Sequence, residues 1–216
     1  MRVEGTGDVL GELLFPDGLI PQILKLLVET WQSFKKPTND EDEPKITNRF
    51  VKSMQVRSAA EGLKFRVEAH VKELEHLDET TGKGFAEIDI LVPHNYDYRC
   101  YFGIEAKKVN TTNAAGKWES EAGEYSGKNG MGCFVEGRYA PYQEHGGMVG
   151  YVMDGDCARA RSKISDAITE RAQELRVTVP LQVAESRHLP QLSIAFETLH
   201  ALDRVTFTIH HLLLAA

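Results

Sequence analysis

In the stretch GFAEIDILVPHNYDYRCYFGIEAKKV, residues 84–109, two acids and a lysine stand where the faces of two apolar strands should point. Side chains alternate along a strand, so Ala86, Ile88, Ile90 and Val92 share one face of the first run and Glu87 and Asp89 the other. In the second run Phe102, Ile104 and Ala106 share a face, with Tyr101, Gly103, Glu105 and Lys107 opposite. A turn symmetric about Asp97 would set Asp89 against Glu105 and Glu87 against Lys107, bringing two carboxylates to about 5 Å between Cβ atoms. Like charges so placed destabilise a sheet, and they call for a compensating cation, a raised pKa or a different register. Mg²⁺ is such a cation, because it takes oxygen ligands, commonly one or two carboxylates, and leaves room for water and phosphate oxygens. Lys107 could orient a metal-bound water, deprotonate it as a neutral amine, or stabilise negative charge on a phosphate in transfer. Gly103 would leave the face bare enough for a backbone to approach. The same residues also describe an ordinary solvated hairpin face with a Glu87–Lys107 ion pair, and period alone does not separate the two readings.

The surrounding chain supplies elements to hold such a hairpin. LIPQILKLLVETWQSF, residues 19–34, puts Leu24, Leu27, Val28 and Trp31 on one helical stripe, with Pro21 suited to a first turn. A polar linker, residues 35–44, leads into a second helix from about Asp42, with Ile46, Phe50, Val51 and Met54 on one side. From Lys64 the period changes to that of a half-buried strand through Phe65, Val67, Ala69 and Val71, and strands dominate to Lys108. A short helix among loops is expected over 110–132, and a strand over 146–153. An amphipathic helix over 157–175 should turn Ile164, Ala167, Ile168 and Leu175 inward, and two strands should end the chain. The expected fold is α/β, a mixed central β-sheet flanked by helices. At 216 residues it forms a single domain, with residues 1–41 as an N-terminal helical extension and linker.

Composition narrows the function classes. The chain is 42% hydrophobic and 26% charged, which is ordinary for a packed core. No apolar run approaches the roughly 20 residues of a membrane span, and the start lacks a signal-peptide plan, so a cytoplasmic protein without membrane contact is expected. Cys100, Cys133 and Cys157 have no metal or disulfide spacing and read as buried thiols. Net charge is −7, with nine acids against four bases in residues 1–44, which excludes nucleic-acid binding by bulk charge. A local patch or a partner must supply the attraction. Lys107, Lys108, Lys117, Lys128 and Arg138 follow the hairpin motif and could line a phosphate-contacting groove. SGKNGMG, residues 126–132, lacks the ending of a phosphate loop and reads as a mobile loop near substrate. Ser186, His188, His200, His210 and His211 lack the elbow of a hydrolase triad. They are expected as structural residues, His210 and His211 pointing to opposite strand faces.

EIDI followed by YFGIEAKK resembles the D…(D/E)-x-K core of the PD-(D/E)XK, or restriction-endonuclease-like, nuclease superfamily, with Asp89, Glu105 and Lys107 as the match. The resemblance implies a restriction-endonuclease-like core in which Asp89, Glu105 and the backbone carbonyl of Ala106 ligate Mg²⁺, for which Mn²⁺ would substitute. Lys107 would serve the attacking water in phosphodiester hydrolysis. Glu43 has the order of the helix glutamate that many members add, and is equally an acid favouring a helix start; Glu73 is a second candidate. Glu121 and Tyr125 keep the spacing of a Q-x-x-x-Y motif, with glutamate replacing glutamine, which makes Tyr125 a substrate-binding candidate. EDEPKITNRF, MGCFVEGRYAPYQEHGGMVGYV and the C-terminal ESRHLPQLSI and FTIHHLLL are similar to prokaryotic members of antiphage and restriction systems. The implied function is a nuclease acting on DNA, RNA not being excluded, as the effector subunit of such an assembly with a protein partner or as a homo-oligomer. The alternative is a non-catalytic nuclease-fold subunit serving as a protein-interaction or DNA-positioning module.

Overall fold

The structure, a computed structural model, describes residues 14–63, 65–72, 87–95, 97–178, 183–203 and 205–216. Their centre is a mixed seven-stranded sheet in the order β1-β2-β3-β6-β9-β8-β7. β3 (Asp97–Val109), β6 (His145–Val152) and β9 (Thr206–Ala215) run parallel in the middle. Antiparallel neighbours extend the sheet on both sides: β2 (Glu87–His94) and β1 (Glu68–Lys72), then β8 (Ala195–Ala201) and β7 (Ala184–Glu185). Every residue of β6 is buried, as a strand covered on both faces must be. Gly146 is required there, since a Cβ would fall 2.6 Å from the Phe134 ring.

One face carries α1 (Ile20–Ser33) and α2 (Glu43–Ala60). The stripes expected for both helices are the ones they bury, except that Val28 lies at the margin of the core. Trp31 stacks on Tyr151 at 5.4 Å between centroids and meets Phe50 edge-on at 5.2 Å, while its Nε1 donates to the Ala215 carbonyl. α1 is therefore part of the core layer and no mere extension. Thr47 Oγ1 shares a hydrogen bond with the Tyr151 hydroxyl, docking the first turns of α2, and so Glu43, over the centre of the sheet. The opposite face is covered by α3 (Ala122–Ser126), α4 (Gly132–Val135) and α5 (Cys157–Glu170), the last burying Ala160, Ile164 and Ile168. A small hairpin of β4 (Thr111–Thr112) and β5 (Trp118–Glu119) leads from β3 towards α3. Among the described residues, no helix is long and apolar enough to cross a membrane.

The β2–β3 hairpin keeps the register expected for symmetry about Asp97, pairing Ile90 with Ile104 and Val92 with Phe102. Its tip is tighter than that symmetry requires. His94 pairs with Asp97, Asn95 takes φ +50, a conformation asparagine tolerates, and a register shift at Pro93–His94 absorbs the difference. Two expectations about its faces are corrected. Ile88 packs with Leu91 and Tyr101, on the side opposite Ile90 and Val92, so alternation breaks at Asp89. The neighbouring strand is irregular at the same level, with His70 at φ +52. Gly103 is not open either: a Cβ there would lie 3.1 Å from the Tyr101 ring.

Candidate active site

Asp89, Glu105 and Lys107 come together where β2 and β3 part. The ladder pairs Ile90 with Ile104, and one further step of that register sets Asp89 beside Glu105. Asp89 Oδ2 accepts the Ala106 amide at 2.8 Å, which fixes its carboxylate against β3. Lys107 Nζ donates to Glu105 Oε1 at 2.5 Å and to Glu43 Oε1 at 3.2 Å. Glu43 Oε2 in turn accepts the Lys108 amide at 2.6 Å, tying the start of α2 to β3. Glu43 thus reaches the cluster through the lysine, its two oxygens engaged by Lys107 and by the Lys108 amide. Glu73 lies outside the described residues.

The electrostatics follow from burial with few donors. Glu105 is 4% exposed, and its Oε2 has no hydrogen-bond partner among the described residues. The Tyr139 hydroxyl lies close by but donates to the Glu87 carbonyl. Burial first, then repulsion from Asp89, pushes the Glu105 carboxyl up to about 8, against the opposing pull of Lys107. Burial also raises Asp89, more than the Ala106 amide, Lys107 and His70 lower it. For Lys107 burial works downward, yet the Glu105 and Glu43 carboxylates outweigh it and hold the ammonium above its ordinary pKa. The cluster is therefore short of positive charge, and its spare donors are oxygens. A hard divalent cation fits that set, with the orphaned Glu105 Oε2 as the clearest open ligand. Asp89, Glu105 and Glu43 do not all present oxygens within 4.8 Å of one another; among the described residues His188, Glu197 and His210 alone form such a trio.

Beside Lys107 opens a cleft of about 520 Å³ whose lining includes Asn39, Glu43, Thr111, Glu121, Glu124 and Asn129. The basic residues expected in a phosphate groove are mostly engaged elsewhere. Lys108 also lines the cleft, but its Nζ donates to the carbonyls of Asn39 at 2.6 Å and Glu41 at 3.0 Å, anchoring the linker before α2. Arg138 pairs with Glu136 at 2.9 Å and donates to the Lys128 carbonyl. Lys117 and Lys128 are exposed. Tyr125 is corrected outright as a substrate contact: it is fully buried, its hydroxyl 3.1 Å from His211 Nδ1, because α3 turns this residue into the core. Glu121 stands at the start of α3 with φ +53 and accepts from Thr111 Oγ1 at 3.3 Å. SGKNGMG forms a close-packed corner, a Cβ at Gly130 falling 2.0 Å from the Tyr125 carbonyl oxygen. Cys100 and Cys133 are buried and Cys157 is partly so, all three free.

Two residues of the site had no signal in the sequence. His70 reaches Glu87 at 3.2 Å and Asp89 at 3.8 Å, bringing β1 to the acids. Tyr139 arrives from the turn after α4. Both depend on long-range pairing that no local spacing announces. No protein-family model matches the chain, and neither a curated protein nor a solved structure matches it.

Proposed function

We propose that this protein is a divalent-metal-dependent nuclease of the restriction-endonuclease-like kind, hydrolysing DNA phosphodiester bonds through Asp89, Glu105 and Lys107. The observation that carries the reading is Glu105, a buried carboxylate beside a second one, with one oxygen on a lysine and the other without a partner among the described residues. A Mg²⁺ or Mn²⁺ ion held by Asp89, Glu105 and the Ala106 carbonyl would supply positive charge to the phosphate and acidify the attacking water. The chain's own groups do the rest. The Ala106 amide holds Asp89 in place. Lys107, kept protonated by two carboxylates, offers charge to a developing phosphorane and is a poor base while so paired. Glu43 sets the lysine's position from α2. The place of the protein in a defence or restriction assembly rests on the sequence resemblance alone.

A second reading, a nuclease-fold subunit that positions DNA or a protein without cutting, draws on the cleft. Glu43, Glu121 and Glu124 line it, and the Lys108 ammonium there is already taken by carbonyls. Polyanionic DNA would enter such a cleft only with metal bound or with a partner's basic surface beside it.

The separating experiment incubates the full chain with plasmid, linear and single-stranded DNA, and RNA, in Mg²⁺, Mn²⁺ or EDTA, beside Asp89→Asn and Glu105→Gln variants checked for folding by circular dichroism. Metal-dependent cutting absent from both variants is expected. Cutting that survives in either folded variant removes the proposed site, and no cutting by the wild type with a purified partner present favours the second reading.

A further inference from the structure

A second polar cluster lies one row further along the strands and on the opposite sheet face from Glu105, where His210 of β9 pairs with Glu197 of β8. Three contacts run in line here from one carboxylate to another. Asp17 Oδ1 meets His145 Nε2 at 3.2 Å, His145 Nδ1 meets His210 Nε2 at 3.1 Å, and His210 Nδ1 meets Glu197 Oε1 at 3.3 Å. Two neutral imidazoles carry two protons, enough for two of the three contacts. The remaining contact sets lone pair against lone pair unless a cation stands between them.

The structure indicates which contact that is. His210 is 1% exposed, and its Nδ1 has no hydrogen-bond partner among the described residues, so the 3.3 Å approach to Glu197 is too poorly aligned to be one. Protons on His145 Nε2 and His210 Nε2 complete an ordinary chain ending on Asp17, and leave the His210 Nδ1 lone pair facing Glu197. Two ligands each about 2.0–2.1 Å from a tetrahedral zinc stand about 3.3 Å apart and off the straight line a hydrogen bond needs. His188 completes the group: it, Glu197 and His210 each offer a donor within 4.8 Å of the other two.

We propose that His188, Glu197 and His210 bind a transition-metal ion of the zinc class, with His145 and Asp17 fixing the His210 tautomer from behind. Two imidazoles and one carboxylate select zinc, cobalt or nickel over Mg²⁺. The Arg187 amide and the Ser186 hydroxyl reach Glu197 Oε1 at 2.9 and 3.3 Å, and Arg187 Nε reaches Oε2 at 2.9 Å. These donors orient the carboxylate, while the guanidinium weakens the ion's hold. His188 is only partly buried and gives the ion a way in. Bound there, the ion staples the 186–189 segment to β8 and β9. The competing account is a third proton on His210, making an imidazolium pair with Glu197.

The test titrates Zn²⁺, with a chromophoric chelator competing, into EDTA-stripped full-length wild type, His188→Ala and Glu105→Gln, and records Co²⁺ absorption of the wild type. One equivalent is expected in wild type and Glu105→Gln, weakened at least about tenfold in His188→Ala, with an intense tetrahedral Co²⁺ band. Failure of the folded wild type to bind, affinity unchanged in His188→Ala, or loss of the ion in Glu105→Gln would each overturn the site. The Co²⁺ band reads the donor set without any variant, and its absence would do the same should His188→Ala fail to fold.

Discussion

Glu105 and Glu197 are carboxylates on neighbouring rows of one sheet, 4% and 5% exposed, yet their pKa values are displaced in opposite directions, up to about 8 and down to about 2. Burial raises both. Glu197 overcomes it because the Arg187 amide and guanidinium donate to it beside the His210 ring, and it lies under an arginine side chain that is half exposed. Among the described residues Glu105 has a lysine donor, a second acid beside it and an oxygen with no partner. The difference teaches that burial alone does not decide the state of an internal carboxylate; the supply of donors does. Glu197 is a finished ligand whose histidine neighbour lacks a cation, whereas Glu105 is itself the group in want of one.

The sharpest way to break the comparison is to remove the lysine that donates to Glu105. Lys107→Ala should reduce cleavage by about 10²–10³-fold, as losing a charge-stabilising donor does. Cleavage retained in the folded variant would remove the lysine from the mechanism. The sequence presents Lys107 as an exposed strand residue of little structural weight. The structure instead gives its side chain 17% exposure between two carboxylates, so the variant should also be measurably less stable without metal. Urea denaturation with and without Mg²⁺ separates the two effects.

Glu105→Gln acts on the other side of the comparison. A carboxyl raised from 4.5 to about 8 on folding contributes stability that is fully present below pH 4.5 and is lost as pH rises to about 8. The span corresponds to at most about 5 kcal/mol. Denaturation midpoints of the variant should therefore lose this downward slope, and Mg²⁺ should stabilise wild type more at pH 8 than at pH 5. An unchanged slope would mean that Glu105 is ionised throughout.

Much of this region was legible because the hairpin is local. Asp89, Glu105 and Lys107 lie within 19 residues, and a symmetric turn fixes their register. The helix stripes were equally plain, being properties of single segments. What could not be read depends on distant pairing. Ile88 turns to the unexpected face at the level where His70 interrupts β1, and the histidine cluster draws on Asp17, His145, His188, Glu197 and His210 from across the chain. The expectation that His210 and His211 face opposite sides held: one meets His145, the other Tyr125 and Thr198. Their environments remained hidden, since a period assigns a face but not what covers it.

Tyr125 shows the same limit, and a smaller effect. A four-residue spacing from Glu121 looks alike whether the tyrosine points out to substrate or into the core. Tyr125→Phe should cost about 1 kcal/mol, from the lost hydrogen bond to buried His211, with cleavage within about threefold of wild type. A large loss of activity at unchanged stability would return Tyr125 to the substrate.

The smallest effects belong to Lys117 and Lys128, the exposed members of the expected basic groove. Single alanine variants should change stability by no more than about 0.5 kcal/mol. If either lysine contacts a phosphate, its loss lowers the slope of log affinity against log salt by about 1. If the acidic cleft is served by a partner's surface, the slope for this chain alone stays as it was. Fluorescence anisotropy of a labelled duplex, with Ca²⁺ in place of Mg²⁺ to prevent cutting, reads that slope directly. A change would give the chain its own share of DNA binding, opposing the glutamates of the cleft, and no change would assign the attraction to the metal and the partner.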